Sequence, residues 1–361
     1  MAVKVYVVDD SAVVRQAIQH LLQDERDIEL IGSAPNAMLA AVAIRKRRPD
    51  VLLLDIEMPG MDGLTFLRQI MDEDPIPTVI CSTLSTSGSQ VALEALACGA
   101  VAVMAKPRMG LKQFLDESRL EVVQTLKAAA ASRPRAGAKP AAGGAASAAS
   151  AAPAKPRPAP TQAVAGVHAL SVNKPVVMGA STGGTQALEA VLTRLPVDCP
   201  GIAIVQHMPE NFTRMYAERL NKLCAMEVRE ARSGDRLQRG TVLIAPGGKH
   251  MQLTKSMGQY FVKVLDGPPV NRHKPSVDVL FRSAAEVAGK DVMGIILTGM
   301  GDDGARGMKA MHDGGARTVA QDEASCVVFG MPMEAIKLGG VDDVRPLSGM
   351  ADAILRFDAR A

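Results

Sequence analysis

The chain has 361 residues, and its 41 Lys and Arg against 38 Asp and Glu give a formal net charge of +3; that length suits two compact domains better than one. Although 47% of the residues are hydrophobic, no run of about 18 apolar residues exists that could span a bilayer, which excludes a transmembrane protein. Aromatics make up 3% with no Trp, which argues against the stacking platforms of single-stranded nucleic-acid binders. The N-terminus meets Asp9 and Asp10 before it could build an apolar signal segment, and Cys81, Cys98, Cys199, Cys224 and Cys326 show no paired spacing. A reduced, cytoplasmic protein without a Cys-based zinc site is expected.

In chain order, KVYVVDD, VLLLDIE, PTVICS and AVAVMAKP are short β-branched runs, each followed by apolar residues at helical spacing, as at Val14, Ile18, Leu21 and Leu22. Repeated strand-then-helix predicts an α/β domain, a doubly wound five-stranded parallel sheet covered on both faces. Ligands of such sheets sit at the carboxyl ends of the strands. There stand Asp9 and Asp10, Asp55, Ser82 and Lys106. An Asp-Asp pair alone is often a turn and helix cap, and a Lys-Pro alone usually nothing. Three converging carboxylates, however, call for a cation, and a hard divalent ion such as Mg2+ prefers oxygen ligands. A flanking hydroxyl and ammonium point to a phosphoryl group.

Through VVDDS, LLLDIEMPGMDG, Ser82 and MAKP, residues 1 to 127 resemble the receiver domain of two-component response regulators. The resemblance implies that Asp55 accepts a phosphoryl group from a histidine kinase. It further implies Asp10, Asp55 and the Glu57 backbone carbonyl as Mg2+ ligands supported by Asp9, with Ser82 and Lys106 as the switch hydroxyl and phosphate-binding lysine. Val103 and Met104 stand where receivers usually carry an aromatic residue before that lysine.

Residues 131 to 160 hold only Ala, Pro, Gly, Ser and five Lys or Arg. With nothing to bury, the stretch cannot offset its ordering entropy, so a disordered linker is expected over 128–170. It also carries the chain's basic excess. Residues 1 to 130 have 13 basic against 17 acidic side chains, and residues 161 to 361 have 23 against 21, so the positive charge gives no pointer to nucleic acid.

The remaining region, 171–361, repeats the alternation, with PVVMG, GIAIVQH, VMGIILTG and ARTVAQ as buried strands. TVLIAP, HMQLTK and YFVKVL, separated by Gly-containing turns without helix between them, predict an antiparallel insertion on a mostly parallel sheet. The turn GASTGG lacks the lysine of a P-loop and the G-x-G-x-x-G of a dinucleotide site, and the next strand closes with Gln206 and His207 rather than a ribose-binding acid. It does fit G-x-S-x-G, a sharp strand-to-helix turn that raises Ser181 toward solvent. A serine hydroxyl needs a base and an orienting group. His207 closes the next strand, and Asp302 and Asp303 follow VMGIILTGMG, all on the same sheet edge. The order Ser, His, Asp differs from that of ordinary α/β-hydrolases.

GASTGG, VQHMPENFT, APGGKHM, VNRHKPSVDVLF, LTGMGDDGARGM and VVFGMPMEAI resemble the catalytic domain of the chemotaxis protein-glutamate methylesterase family. That resemblance implies Ser181 as nucleophile, His207 as base and later acid, and Asp303 rather than Asp302 as the orienting group. It also implies backbone donors near Thr182 and Met300 for the oxyanion, and His250 and Asn271 to Ser276 along the substrate cleft. The implied reaction is hydrolysis of glutamate γ-methyl esters, and deamidation of glutamines, on methylated chemoreceptors, with no cofactor in this domain. Other response regulators carry a DNA-binding or nucleotide-dependent output. The first would call for a helix-turn-helix with a basic face, the second for the missing ribose acid.

Overall fold

The computed structural model describes residues 2–58, 62–82, 86–106, 112–132 and 174–359. Most of the expected linker lies outside the described residues.

The first domain runs β1 (Val3–Val8), α1 (Ala12–Leu22), β2 (Ile28–Ala34), α2 (Ala37–Lys46), β3 (Val51–Asp55), α3 (Gly63–Glu73), β4 (Thr78–Ser82), α4 (Thr86–Ala97), β5 (Ala102–Ala105) and α5 (Lys112–Ala131). Its parallel sheet has the order β2-β1-β3-β4-β5. Both β3 and β4 are buried at every position, so their apolar runs are unbroken rather than alternating. The chain moves outward from β1 to β2 and then back past it to β3. The crevice at this reversal places the ends of β1 and β3 side by side. Helix α5 continues to Ala131, past the expected end at residue 127, because its Leu126 and Ala129 pack into the core under the sheet.

The second domain runs β6 (Val176–Ala180), α6 (Gly184–Leu192), β7 (Ile202–Gln206), α7 (Phe212–Leu223), β8 (Glu227–Glu230), β9 (Thr241–Ile244), β10 (His250–Ser256), β11 (Gln259–Leu265), α8 (Val277–Ala288), β12 (Met293–Ile296), α9 (Ala305–Asp313), β13 (Arg317–Gln321), α10 (Met331–Lys337), β14 (Asp343–Arg345) and α11 (Met350–Asp358). Seven strands form the sheet β14-β13-β12-β6-β7-β9-β8, and every pairing in it is parallel. The antiparallel insertion is smaller than the sequence predicts. Among the described strands only β10 and β11 pair that way, as a separate two-stranded sheet. The TVLI run is β9, buried at all four positions between β7 and β8, as a central parallel strand must be. Its neighbour β8, EVRE, is an edge strand with too few apolar residues to announce itself.

The two domains are in contact. Helix α4 of the first packs against α6 and α7 of the second. Gln186 on α6 donates Nε2–H to the carbonyls of Leu96 at 2.8 Å and Ala100 at 3.4 Å, and the Gly183 N–H donates to the Val101 carbonyl at 3.3 Å.

Candidate functional site

In the first domain, carboxylate oxygens of Asp9, Asp10 and Asp55 come within 4.8 Å of one another at the carboxyl ends of β1 and β3. Lys106 Nζ pairs with Asp55 Oδ2 at 2.7 Å and with Asp9 Oδ2 at 3.3 Å. The backbone N–H groups of Ser11 and Glu57 donate to Asp9 Oδ1 and Asp55 Oδ1. Burial pushes the Asp55 carboxyl up to about 6, outweighing the Lys106 hydrogen bond and charge, and the Asp9 charge adds to the rise. One ammonium thus falls short of balancing the pocket. Oxygen-only donors with a negative surplus, and Asp9 Oδ2 buried with only the 3.3 Å Lys106 pairing beside it, fit a hard divalent cation. Ser82 is buried at the end of β4, and its carbonyl accepts the Lys106 N–H at 2.9 Å. Asp9, Asp10, Asp55 and Lys106 converge here, with Glu57 and Ser82 tied to the pocket through their backbone.

In the second domain the chain leaves β6 for β7 on one side and later returns to β12 on the other, so the end of β6 is the reversal point of the sheet. Ser181 sits there. Its N–H donates to the Thr298 carbonyl at 3.0 Å, and its carbonyl accepts from Gly184 N at 2.8 Å and from Gln206 Nε2 at 2.9 Å. The turn needs its glycines. Gly183 has φ +76°, and a Cβ there would lie 2.5 Å from the Val327 Cβ; a Cβ on Gly299 would lie 2.8 Å from the Ser181 Cβ. Ser181 Oγ makes no hydrogen bond among the described residues, an ordinary state for an unliganded nucleophile.

His207 follows β7, and its Nε2 lies 2.8 Å from Asp303 Oδ2. Nε2 therefore carries the ring proton, and Nδ1, buried with no partner among the described residues, keeps its lone pair. Of the two aspartates, the structure brings Asp303 to the histidine; Asp302 is half-buried and its carbonyl accepts the Ala305 N–H. Asp303 is 1% exposed and accepts four more hydrogen bonds: Ser276 Oγ and Val277 N at 2.7 Å, Asn271 Nδ2 at 2.9 Å and Asp278 N at 3.2 Å. Two of these donors open α8, whose N-terminal dipole favours an anion. Burial alone would raise the Asp303 carboxyl, but the His207 hydrogen bond and charge, with Asn271 and Ser276, hold it well below the usual carboxylate range.

The N–H groups of Thr182 and Met300 have no acceptor among the described residues, and the Gly299–Met300 turn is pressed against Ser181 by the close approach at Gly299. They are two uncommitted donors, one on the residue after Ser181 and one on the residue after Gly299. The Thr298 hydroxyl ties this corner together, donating to the Thr182 carbonyl at 2.9 Å and accepting from Val327 N and Val328 N.

Two expectations change. His250 is only 2% exposed: Nδ1 accepts from Ser276 N at 3.2 Å and Nε2 faces the Pro268 carbonyl at 3.0 Å, so it is a strut under the 270s loop rather than a cleft wall. Asn271 and Ser276 thus hold the orienting carboxylate instead of lining a cleft, while Thr298 and Gln206, which also donates to the His207 carbonyl at 3.2 Å, carry roles that the sequence does not assign. Their signal was confined to short polar residues inside the quoted motifs.

A receiver-type sheet in front of an enzyme-like parallel sheet defines a response regulator with an α/β output domain. Residues 5–117 match the response regulator receiver domain, and residues 176–354 match the CheB methylesterase. The chain is 54% identical to protein-glutamate methylesterase/protein-glutamine glutaminase 2 of Chromobacterium violaceum, covering 99% of this chain and all of that one. It is 56% identical to protein-glutamate methylesterase/protein-glutamine glutaminase 1 of Xanthomonas oryzae pv. oryzae, covering 97% and 99%. The Thermotoga maritima CheB methylesterase catalytic domain superimposes with a TM-score of 0.50 at 36% identity, covering 51% of this chain and 98% of that structure. The chain belongs to the CheB methylesterase family, with a response regulator receiver domain in front of the methylesterase domain. A DNA-binding or nucleotide-dependent output is not favoured. No helix among the described residues is long and apolar enough to cross a membrane.

Proposed function

We propose that this protein hydrolyses glutamate γ-methyl esters, and deamidates glutamines, on chemoreceptors in the cytoplasm, under control of phosphorylation at Asp55. The observation that carries the reading is the His207–Asp303 pair, its carboxylate buried, at the same sheet edge as Ser181. Nε2–H is committed to Asp303, so Nδ1 of His207 takes the Ser181 proton as Oγ attacks the ester carbonyl. The assignment of ring nitrogens is the reverse of the chymotrypsin-type triad, while the chemistry is the same. The Thr182 and Met300 N–H groups receive the oxyanion. His207 returns the proton to the departing methoxide, methanol leaves, and water repeats the sequence on the acyl-enzyme. An amide passes through the same oxyanion with ammonia as the leaving group.

Residues 1 to about 131 act as the receiver and 171 to 361 as the catalytic domain, joined by a linker. In the receiver, Asp10, Asp55 and the Glu57 carbonyl, supported by Asp9, would hold Mg2+. When bound, the ion supplies charge neutralisation for phosphoryl transfer from a histidine kinase to Asp55. Lys106 then binds the phosphoryl oxygens and Ser82 supplies a hydroxyl. The docked receiver occupies the Gly183 N–H two residues from Ser181, and phosphorylation shifts the population toward a released form.

The direct test is methanol release from methyl-labelled receptor. Ser181→Ala abolishes it while leaving Asp55 phosphorylation intact; undiminished release would overturn the nucleophile.

A further inference from the structure

His273 lies outside the Ser181, His207 and Asp303 set, yet its ring stacks on that of His207 with centroids 3.8 Å apart and planes 12° from parallel. The backbone goes to some lengths to put it there. The residues before it, Asn271 and Arg272, both adopt left-handed conformations, at φ +49° and +68°, which Asn tolerates and a long side chain such as that of Arg272 avoids. Val270 and His273 close this loop by exchanging two backbone hydrogen bonds, of 2.9 and 3.1 Å. Asn271 Nδ2 fastens it to Asp303, Lys274 Nζ to Asp266, and the Lys274 carbonyl accepts the Gly248 N–H. One strained loop therefore fixes the orienting carboxylate at the edge of the His207 ring and a second ring over its face.

We infer that His273 is a positioning residue for the ester hydrolysis: a flat, uncharged ring that fixes the plane of His207 and faces the positive charge it acquires. The inference rests on the proposed roles of Ser181, His207 and Asp303. Burial pushes the His273 imidazole down to about 3 and outweighs the opposing Asp303 charge, so the ring is neutral at physiological pH. When Nδ1 of His207 takes the Ser181 proton, the resulting imidazolium meets the π-face of a neutral ring, a contact that strengthens as the charge appears. Such a contact lowers the barrier without tightening substrate binding.

The test uses the full-length protein, methylated receptor and a phosphodonor. His273→Ala should lower kcat roughly 10- to 100-fold, as misplacing a catalytic group does, with KM within about two-fold. His273→Phe keeps a flat neutral ring without a titratable nitrogen and should recover most of the rate. Independently of turnover, the carbon-bound ring protons of His207, among only six histidines, should resonate upfield in wild type and in His273→Phe, and move downfield in His273→Ala. A wild-type kcat in His273→Ala, a folded His273→Phe as slow as His273→Ala, or a His207 resonance indifferent to residue 273 would each overturn the inference. Should His273→Ala fail to fold, His273→Phe alone decides it. Absence of receptor hydrolysis by the wild type would instead fault the underlying enzyme reading, which the resonance comparison does not depend on.

Discussion

Gln186, on the helix that follows the Ser181 turn, donates its side-chain amide to the carbonyls of Leu96 and Ala100 in the receiver. With the Gly183–Val101 hydrogen bond, it links the two domains close to the proposed nucleophile. Gln186→Ala removes both side-chain bonds, a loss of about 1 kcal/mol each where the freed carbonyls regain water. Basal methanol release without phosphodonor should rise several-fold, and the further stimulation by phosphodonor should shrink. Unchanged basal release would separate this contact from control of the active site.

The raised Asp55 carboxyl makes the receiver pH-sensitive. Its folded value, about 6, lies above the unfolded value near 3.9. The protonated group therefore contributes stability that is fully present below about pH 4 and is lost as pH rises through about 6. In the absence of Mg2+, the receiver's thermal transition in the full chain should fall over that window, and Asp55→Asn should flatten the dependence. Calorimetric titration should find Mg2+ about ten-fold weaker at pH 5 than at pH 7.5, with proton release on binding near pH 6.

Asp303 shows the opposite sign. A depressed carboxyl contributes stability above its unfolded value near 3.9 that is lost as pH falls through the folded one. Denaturant midpoints between pH 5 and pH 2 should decline more steeply for wild type than for Asp303→Asn. That variant should also lose about 10⁴-fold in kcat.

Asn271 stands between two buried carboxylates, donating to Asp303 Oδ1 and to Asp278 Oδ2 at 2.7 Å. Asn271→Ala leaves both short of a donor and facing each other. The expected cost is about 2 to 4 kcal/mol, read as a lower melting temperature of the catalytic domain, together with a fall in kcat.

At Gly183, an alanine would be forced into a left-handed conformation and against Val327. Gly183→Ala should destabilise the catalytic domain by at least 1 kcal/mol and suppress methanol release, because the turn that presents Ser181 cannot keep its shape. Full activity with an unchanged melting temperature would show that the turn tolerates a Cβ.

Much of this was legible in the sequence, for identifiable reasons. Fully buried parallel strands such as β3, β4, β6 and β7 are unbroken apolar runs, and the polar residue after each run marks the sheet edge where ligands bind. Asp55, Ser181 and His207 all stand at such positions. The edge strands β8 and β14, EVRE and DVR, lack such runs, and β9 reads as part of the antiparallel insertion because no helix separates it from the runs that follow. The residues surrounding Asp303 were hidden for another reason. Asn271, Ser276 and the start of α8 are up to 32 positions away in the chain, and no local pattern records which loop folds back onto which carboxylate.

The three hydrogen bonds by which Gln186 and Gly183 hold the receiver all end on main-chain carbonyls, of Leu96, Ala100 and Val101. On the receiver side, these bonds read a backbone path and not an amino-acid identity. Leu96, Ala100 and Val101 can therefore be exchanged for other residues that preserve that path without erasing them. A receiver grafted from a divergent member of the family would bring the same three acceptors with it, whereas a single inserted residue between α4 and β5 would not.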